Sequence, residues 1–389
     1  MNILLEGIFY NGHGLAEGNR ILLRFLDQAG YQVRIAARDR QEKNLVLTPQ
    51  ETRYISSFEH TELSSHDLYL YNGVGSHVRH RPEFCVNIAR TTFETDRIPA
   101  FWVPELNKFD EVWVQSSFNL RSFRASGVNV PLRLIPNFFD MSLYEPRGPA
   151  LKLPVSEPFI FLSVFDLKER KGYDVLLEAY LNEFSAADHV ALVVKIRDHT
   201  KSDKVEELIA RHPKPARDRP SVYVIDQMLT TSEMLGLYRA SDAFVLPTRG
   251  EGWGRPFFEA MLMELPCIGT DWSGQTDFMH GENSFLVAVE RFRQIANHEN
   301  DMFNGHYWAE PSISDLQRNM RMVLKRKVEA KRKGRTARAE LLEKYAMPKT
   351  AAKVVAEIAK YATRIREVNE ARWQTTSNLL PYRSLVSDM

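Results

Sequence analysis

Leu246-Pro247-Thr248-Arg249-Gly250-Glu251-Gly252-Trp253-Gly254-Arg255-Pro256-Phe257-Phe258-Glu259-Ala260-Met261 is the stretch from which the fold is read. The apolar run from Ala243 to Leu246 reads as a buried strand, and a loop punctuated by glycines follows it. Pro256 suits the first turn of a helix, because its missing N–H is not needed there and its φ is already helical. Glu251 then falls in the loop and Glu259 one turn into the helix. Such a crossing offers an anion free backbone N–H groups and the positive end of a helix dipole. Two carboxylates beside it can accept hydrogen bonds from hydroxyls. Phosphate together with a polyol is the chemistry of a nucleotide sugar.

The two glutamates, in the setting Glu251-Gly-Trp-Gly-Arg-Pro-Phe-Phe-Glu259, resemble the E-x7-E motif of the retaining GT-B glycosyltransferases of family 4. A following strand at 266–271, then Gly274 and Asp277, extends the likeness. The resemblance implies an α/β chain of two doubly wound, Rossmann-like domains facing a central cleft. It also implies transfer of a hexose or related sugar from a UDP- or GDP-sugar, with retention of anomeric configuration, in surface-glycan or other glycoconjugate synthesis. Gly254, Arg255 and Pro256 would border the donor, Glu259 would accept from its ribose, and Glu251 would lie nearer the sugar. No Asp-x-Asp occurs, so the expectation is a metal-independent reaction with no cofactor besides the donor.

A chain of 389 residues is more than one hydrophobic core usually organises. A formal net charge of +1 argues against a general polyanion binder. Cys85 and Cys267 are the only cysteines and lie in apolar runs, so a disulfide framework is not expected and the cytoplasm is the natural compartment. No stretch approaches the length of a membrane span, which leaves peripheral contact with the inner face of the membrane open. The expected organisation is an acceptor-side domain over 1–147, a donor-side domain over 148–345, a helix at 346–366 crossing back, and an unassigned tail over 367–389.

In the first half, apolar strands alternate with amphipathic helices, which predicts parallel pairing with ligands at the carboxyl ends of the strands. Ile3 to Leu5, Gln32 to Ala36, Leu68 to Tyr71, Phe84 to Ile88, Glu111 to Gln115 and Leu132 to Ile135 read as strands, and Leu15 to Ala29 as a helix. Asn11-Gly12-His13-Gly14 falls at such a carboxyl end; it is either a tight turn or a place where backbone N–H groups of Gly12 and Gly14 approach the donor. The family resemblance favours the second. Glu94-Thr95-Asp96 follows a strand and should face the cleft, or else form a capped turn. Many relatives carry a histidine near this point; Phe93-Glu94-Thr95 stands there instead, and Glu94 is the candidate for the reacting centre.

The second half opens on the strand Phe159 to Phe165, the turn Asp166-Leu167-Lys168-Glu169-Arg170-Lys171-Gly172 and the helix Tyr173 to Phe184. A lysine at such a crossing can neutralise a diphosphate as a point charge, and Lys171-Gly172 matches the phosphate-binding lysine of the family. Phe165 occupies the place of the usual companion arginine, which leaves Lys195 or Arg197, at the end of the strand Val190 to Ile196, as the second cation. Asp226-Gln227-Met228-Leu229 lies at the next strand end, where the family frames its nucleobase, so Met228 is assigned to that wall. Thr230 or Thr231 should cap the helix that follows, with Glu233 in its first turn.

Lys325 to Arg338 is densely basic. Such a run can contact nucleic acid or an anionic membrane, but the interruption by Glu329 favours a solvated helix face. The acceptor is open among glycan, lipid-linked glycan, protein and nucleic acid. A GT-B phosphorylase or a nucleotide-sugar epimerase are rival enzymes, lacking respectively a pyridoxal-phosphate lysine region and an identifiable acid/base pair. A catalytically idle nucleotide-sugar-binding protein is the rival of another class, and the intact glutamate pair favours the enzyme.

Overall fold

The computed structural model describes residues 1–42, 47–196 and 202–378. The first half alternates β1 (Asn2–Gly7), α1 (Gly14–Gln28), β2 (Gln32–Ala37), α2 (Pro49–Ser57), β3 (Leu68–Asn72), β4 (Val86–Arg90), α3 (Val103–Leu106), β5 (Glu111–Val114), α4 (Ser117–Ala125) and β6 (Leu132–Leu134). Its strands pair in parallel in the order β2-β1-β3-β4-β5-β6. β3, β4 and β5 are buried along their whole length, as strands covered on both faces must be. The Phe84 strand begins two residues later than the sequence suggests: Val86 pairs with Leu68, and Phe84 packs instead in the core with Tyr69 and Phe109.

The second half runs β7 (Phe159–Val164), α5 (Tyr173–Glu183), β8 (Val190–Lys195), α6 (Ser202–Arg211), β9 (Ser221–Ile225), α7 (Thr231–Arg239), β10 (Ala243–Leu246), α8 (Arg255–Leu262), β11 (Cys267–Thr270) and β12 (Phe285–Val287). This sheet is also six-stranded, in the order β12-β11-β10-β7-β8-β9, and its pairs are parallel. Two doubly wound layers of the GT-B kind are the result. At α7 the cap is Thr230, in a reciprocal box with Glu233. An antiparallel hairpin, β13 (Val289–Gln294) and β14 (Tyr307–Pro311), follows β12. The chain ends in α9 (Ile313–Lys325), α10 (Lys327–Lys344), α11 (Met347–Ala359) and α12 (Ala362–Asn378).

Adjacent side chains mark where the chain changes cores. Phe138 packs with Leu22 and Phe25 of the first domain, whereas Phe139 stacks on Phe258 of the second at 4.2 Å. On the return, Tyr345 lies in the second core and Met347 packs on the first. Residues 147–158 are strapped to the second domain: Leu151 N–H donates to the Gly236 carbonyl at 2.9 Å, and Arg239 donates to the carbonyls of Glu145 and Pro149.

The single helix expected over 346–366 is two, broken at Lys360-Tyr361, and the second continues to Asn378 through residues that show no apolar period. α12 packs Ile365 and Val368 on the first core and is otherwise held by polar groups, Arg364 to Asp110 and Asn369 to Asp67, which a hydrophobic pattern does not reveal. In the basic segment, Lys333 is buried and donates to the carbonyls of Gly281 and Ser284, and Arg338 donates to those of Tyr144 and Leu262. These two cations hold α10 in place, while Arg326, Lys327, Lys331 and Arg332 are exposed. Among the described residues no helix is long and apolar enough to cross a membrane.

Candidate functional site

The turn after β7 and the loop after β10 meet where the central strands of the second sheet end. Lys171, the last residue of that turn, is buried and places Nζ 2.5 Å from Oε1 of Glu251. Arg170 reaches the same oxygen at 3.3 Å with one Nη and Oε1 of Glu94, from the first domain, at 3.3 Å with the other. It also donates to the Gly250 carbonyl. Glu251 is fastened further by Thr248 Oγ1, which donates to Oε1 at 3.1 Å, and by Ser273 Oγ, which accepts from its N–H at 2.9 Å. Burial alone would raise the Glu251 carboxyl, but Lys171 and then Arg170 outweigh it and hold it below the usual range. Lys171 is lowered by burial and by Arg170, against the pull of Glu251. Glu94 and Glu251 together keep Arg170 above its ordinary value despite its burial.

A second cluster forms at the start of α8. Arg255 bridges the domains, with one Nη 2.6 Å from Glu17 of α1 and 3.1 Å from Glu259 one turn along its own helix. Its guanidinium lies 4.3 Å from the centre of the Phe139 ring. Glu259 accepts from the Tyr238 hydroxyl at 3.0 Å. Here burial outweighs Arg255, and the Glu259 carboxyl stays above its ordinary value. The two glutamates of one loop thus titrate in opposite directions, because one faces two cations in its cage and the other shares a single cation with Glu17.

The first domain closes directly on this loop. A Cβ at Gly250 would lie 2.0 Å from the Glu94 carbonyl oxygen, and one at Gly252 2.0 Å from Thr92 Oγ1, so neither position has room for a side chain. Gly14 abuts Arg255, which donates weakly to its carbonyl at 3.4 Å. Gly12 is exposed, and the N–H groups of Phe9, Tyr10 and Asn11 just before it all donate to the Asp39 carboxylate. Asp277 accepts from the Ser117 N–H at 2.8 Å across the cleft.

Glu94, Lys171 and Glu251 therefore meet in one cluster, and Gly14, Gly254, Arg255, Pro256 and Glu259 in the neighbouring one. The cation that shares the Glu251 carboxylate with Lys171 is Arg170, which the sequence reading did not single out. Lys195 is buried at the end of β8 and donates to the Ile196 carbonyl. Arg197 lies outside the described residues. Phe165 is buried and stacks on Tyr173, and Met228 is exposed between β9 and α7. Arg170 had one visible signal, its place next to Lys171 in a charged turn. Thr248 lies three residues before Glu251 in the same loop, whereas Ser273, Glu17 and Tyr238 had no such signal, since folding alone brings them to the site.

Residues 158–303 match the family model described as "Glycosyl transferases group 1". The chain is 26% identical over 153 residues to the capsular polysaccharide biosynthesis glycosyltransferase CapM of Staphylococcus aureus, covering 39% of this chain and 38% of that protein. It is 28% identical over 225 residues to the O-antigen chain mannosyltransferase B of Escherichia coli, covering 51% of this chain and 56% of the relative. These matches span little more than half of the relatives' lengths at most. Among solved structures, Anabaena HepE in complex with UDP and glucose superposes with a TM-score of 0.62 at 16% identity, over 92% of this chain and 100% of that one. Sucrose-phosphate synthase of Thermosynechococcus elongatus does so with a TM-score of 0.67 at 15% identity, over 92% and 98%. At these identities the structural likeness establishes the fold: the chain has the two-domain GT-B architecture, and its second domain carries the group 1 glycosyl transferase match.

Proposed function

We propose that this protein is a glycosyltransferase that moves a hexose or related sugar from a nucleoside diphosphate sugar to an acceptor in polysaccharide synthesis, with retention of anomeric configuration and without a metal ion. The observation that carries the reading is the buried set Arg170, Lys171 and Glu251 at the ends of β7 and β10, inside the stretch that matches the group 1 family. Two cations fixed at one point suit a diphosphate leaving group, since charge developing on its bridging oxygen is met without reorganisation. The diphosphate takes Lys171 and Arg170 over from their carboxylates, and Glu259 accepts from the ribose hydroxyls. The anomeric C–O bond to the diphosphate then breaks while the acceptor oxygen forms its bond on the same face, and the acceptor proton passes to a diphosphate oxygen.

The test is a panel of UDP- and GDP-sugars incubated with the full chain, with nucleoside diphosphate release and product configuration read by NMR. Release from at least one donor, unchanged by a chelator, with the donor's anomeric configuration kept in the product, is expected. Glu259→Ala should weaken nucleoside diphosphate binding by about 1.5–3 kcal/mol, the scale of a charged hydrogen bond. Binding without turnover would mark a nucleotide-sugar sensor, and absence of both would overturn the reading.

A further inference from the structure

Beyond the Glu251 loop, on the side away from β9, a cavity of about 380 Å³ opens between the domains. Phe118 of α4, Trp272 after β11, and Phe292 and Tyr307 of the hairpin form its walls, and Asp96 and Arg121 stand at its polar edge. The rings are set at steep angles: Phe118 to Trp272 at 4.9 Å and 71°, Trp272 to Phe292 at 5.7 Å and 64°. Phe292 is 55% and Tyr307 39% exposed, unusual for large rings at the mouth of a cleft. The volume falls in the range of small-ligand pockets, and flat apolar walls with a few polar groups at one edge are what such pockets use.

We infer that this cavity is an acceptor subsite for a pyranose ring, whose C–H face lies on Phe292 with its edge toward Trp272, while its hydroxyls meet Asp96 and Arg121. The inference rests on the transferase reading and names the chemical class of its acceptor. Asp96 Oδ1 already accepts from the Tyr307 N–H at 2.7 Å, which leaves lone pairs for a hydroxyl. Arg121 has five N–H donors, of which a long contact of 3.5 Å to Ser117 uses one. The family resemblance puts the nucleobase at the end of β9, and this cavity lies past β11, on the other side of the β7 and β10 ends that hold Lys171 and Glu251.

The cavity is in register with the reacting centre through covalent neighbours. Trp272 precedes Ser273, which holds the Glu251 N–H, and a Cβ on Gly250 would lie 3.1 Å from the Trp272 ring. β14 carries both Tyr307 and Glu310, and Arg249 binds Glu310 at 2.7 Å and Asp174 at 2.6 Å while its carbonyl accepts from Ala309. Arg249 is two residues from Glu251.

The experiment uses methyl glycosides of glucose, galactose and mannose, with glycerol as the polyol control, in saturation-transfer NMR on the full chain, alone and with UDP or GDP. Ring protons of at least one pyranoside should saturate and those of glycerol should not. Phe292→Ala should weaken that binding about fivefold, the scale of one aromatic contact, and Arg121→Ala should weaken it as well. Unchanged urea midpoints for both variants keep a folding defect apart from a binding one. No saturation by any pyranoside, or wild-type affinity in either variant, overturns the subsite, as does vesicle co-sedimentation lost in Phe292→Ala without pyranoside binding. Calorimetry with UDP and GDP on the same sample judges the transferase reading separately, so the two failures are distinguishable.

Discussion

Glu251 and Glu259 show how neighbours set the chemistry of one residue type. Glu251 is held below its ordinary value, so it contributes stability that is present above pH 4.5 and lost as pH falls through its lowered folded value. Glu259 is held above, so the folded state binds its proton more tightly and stability falls as pH rises from 4.5 through its raised value. Urea unfolding across pH should therefore show a flatter acid side for Glu251→Gln and a flatter profile just above pH 4.5 for Glu259→Gln. Parallel changes in both variants would contradict these environments. Removing Lys171 leaves the buried Glu251 with Arg170 as its cation at the longer distance of 3.3 Å, so Lys171→Met should cost up to about 3 kcal/mol. The double variant Lys171→Met with Glu251→Met should recover most of it, because Arg170 keeps Glu94. If the double variant is no more stable than the single one, the cost comes from packing.

At the scale of elements, Arg249 is the main tie between the hairpin β13–β14 and the Lys171 turn. Arg249 donates to both oxygens of Asp174 and to Glu310, and Arg293 ties Glu310 to Glu169 across the Lys171 turn. Lysine cannot reproduce that planar fork. Arg249→Lys should destabilise by about 1.5–3 kcal/mol and raise hydrogen exchange in 289–311 and 168–172 together; exchange confined to one segment would show that they are not coupled. α11 belongs energetically to the first domain, since Val354 and Ile358 are fully buried in that core. Ile358→Ala should cost about 2–5 kcal/mol, with exchange rising in α1 before α8. α11 was legible from its apolar stripe. α12 was not, because beyond Ile365 and Val368 its anchors are polar contacts to Asp67 and Asp110.

For the whole molecule, the crossings at 138–139 and 345–347 are the places where rotation leaves both cores intact. The domains meet through Glu17–Arg255, Ser117–Asp277, Glu94–Arg170 and Asp96–Tyr307. Each such contact is worth about 1 kcal/mol, so a few of them decide between open and closed forms. The double variant Glu17→Ala with Asp277→Ala should have a larger radius of gyration in small-angle scattering, and a non-hydrolysable donor should bring it back. Profiles superimposable on wild type without donor would show that these pairs do not hold the closure.

The alternation of apolar runs with helical periods was enough to determine two parallel, doubly wound domains, because each strand and helix buries its own face whatever the detail around it. Lys171, Glu251 and Glu259 were legible for a similar reason, since strand ends and helix starts put them there through local geometry. Only the tertiary structure decided that Arg170 and Lys171 share the Glu251 carboxylate, that Glu94 reaches Arg170 from the other domain, and that Ser273 holds the Glu251 N–H. Only it, too, made one glutamate readily ionised and the other resistant. Those outcomes depend on which buried charges lie within a few ångströms across the cleft, and residues far apart in the chain carry no local pattern that records such distances.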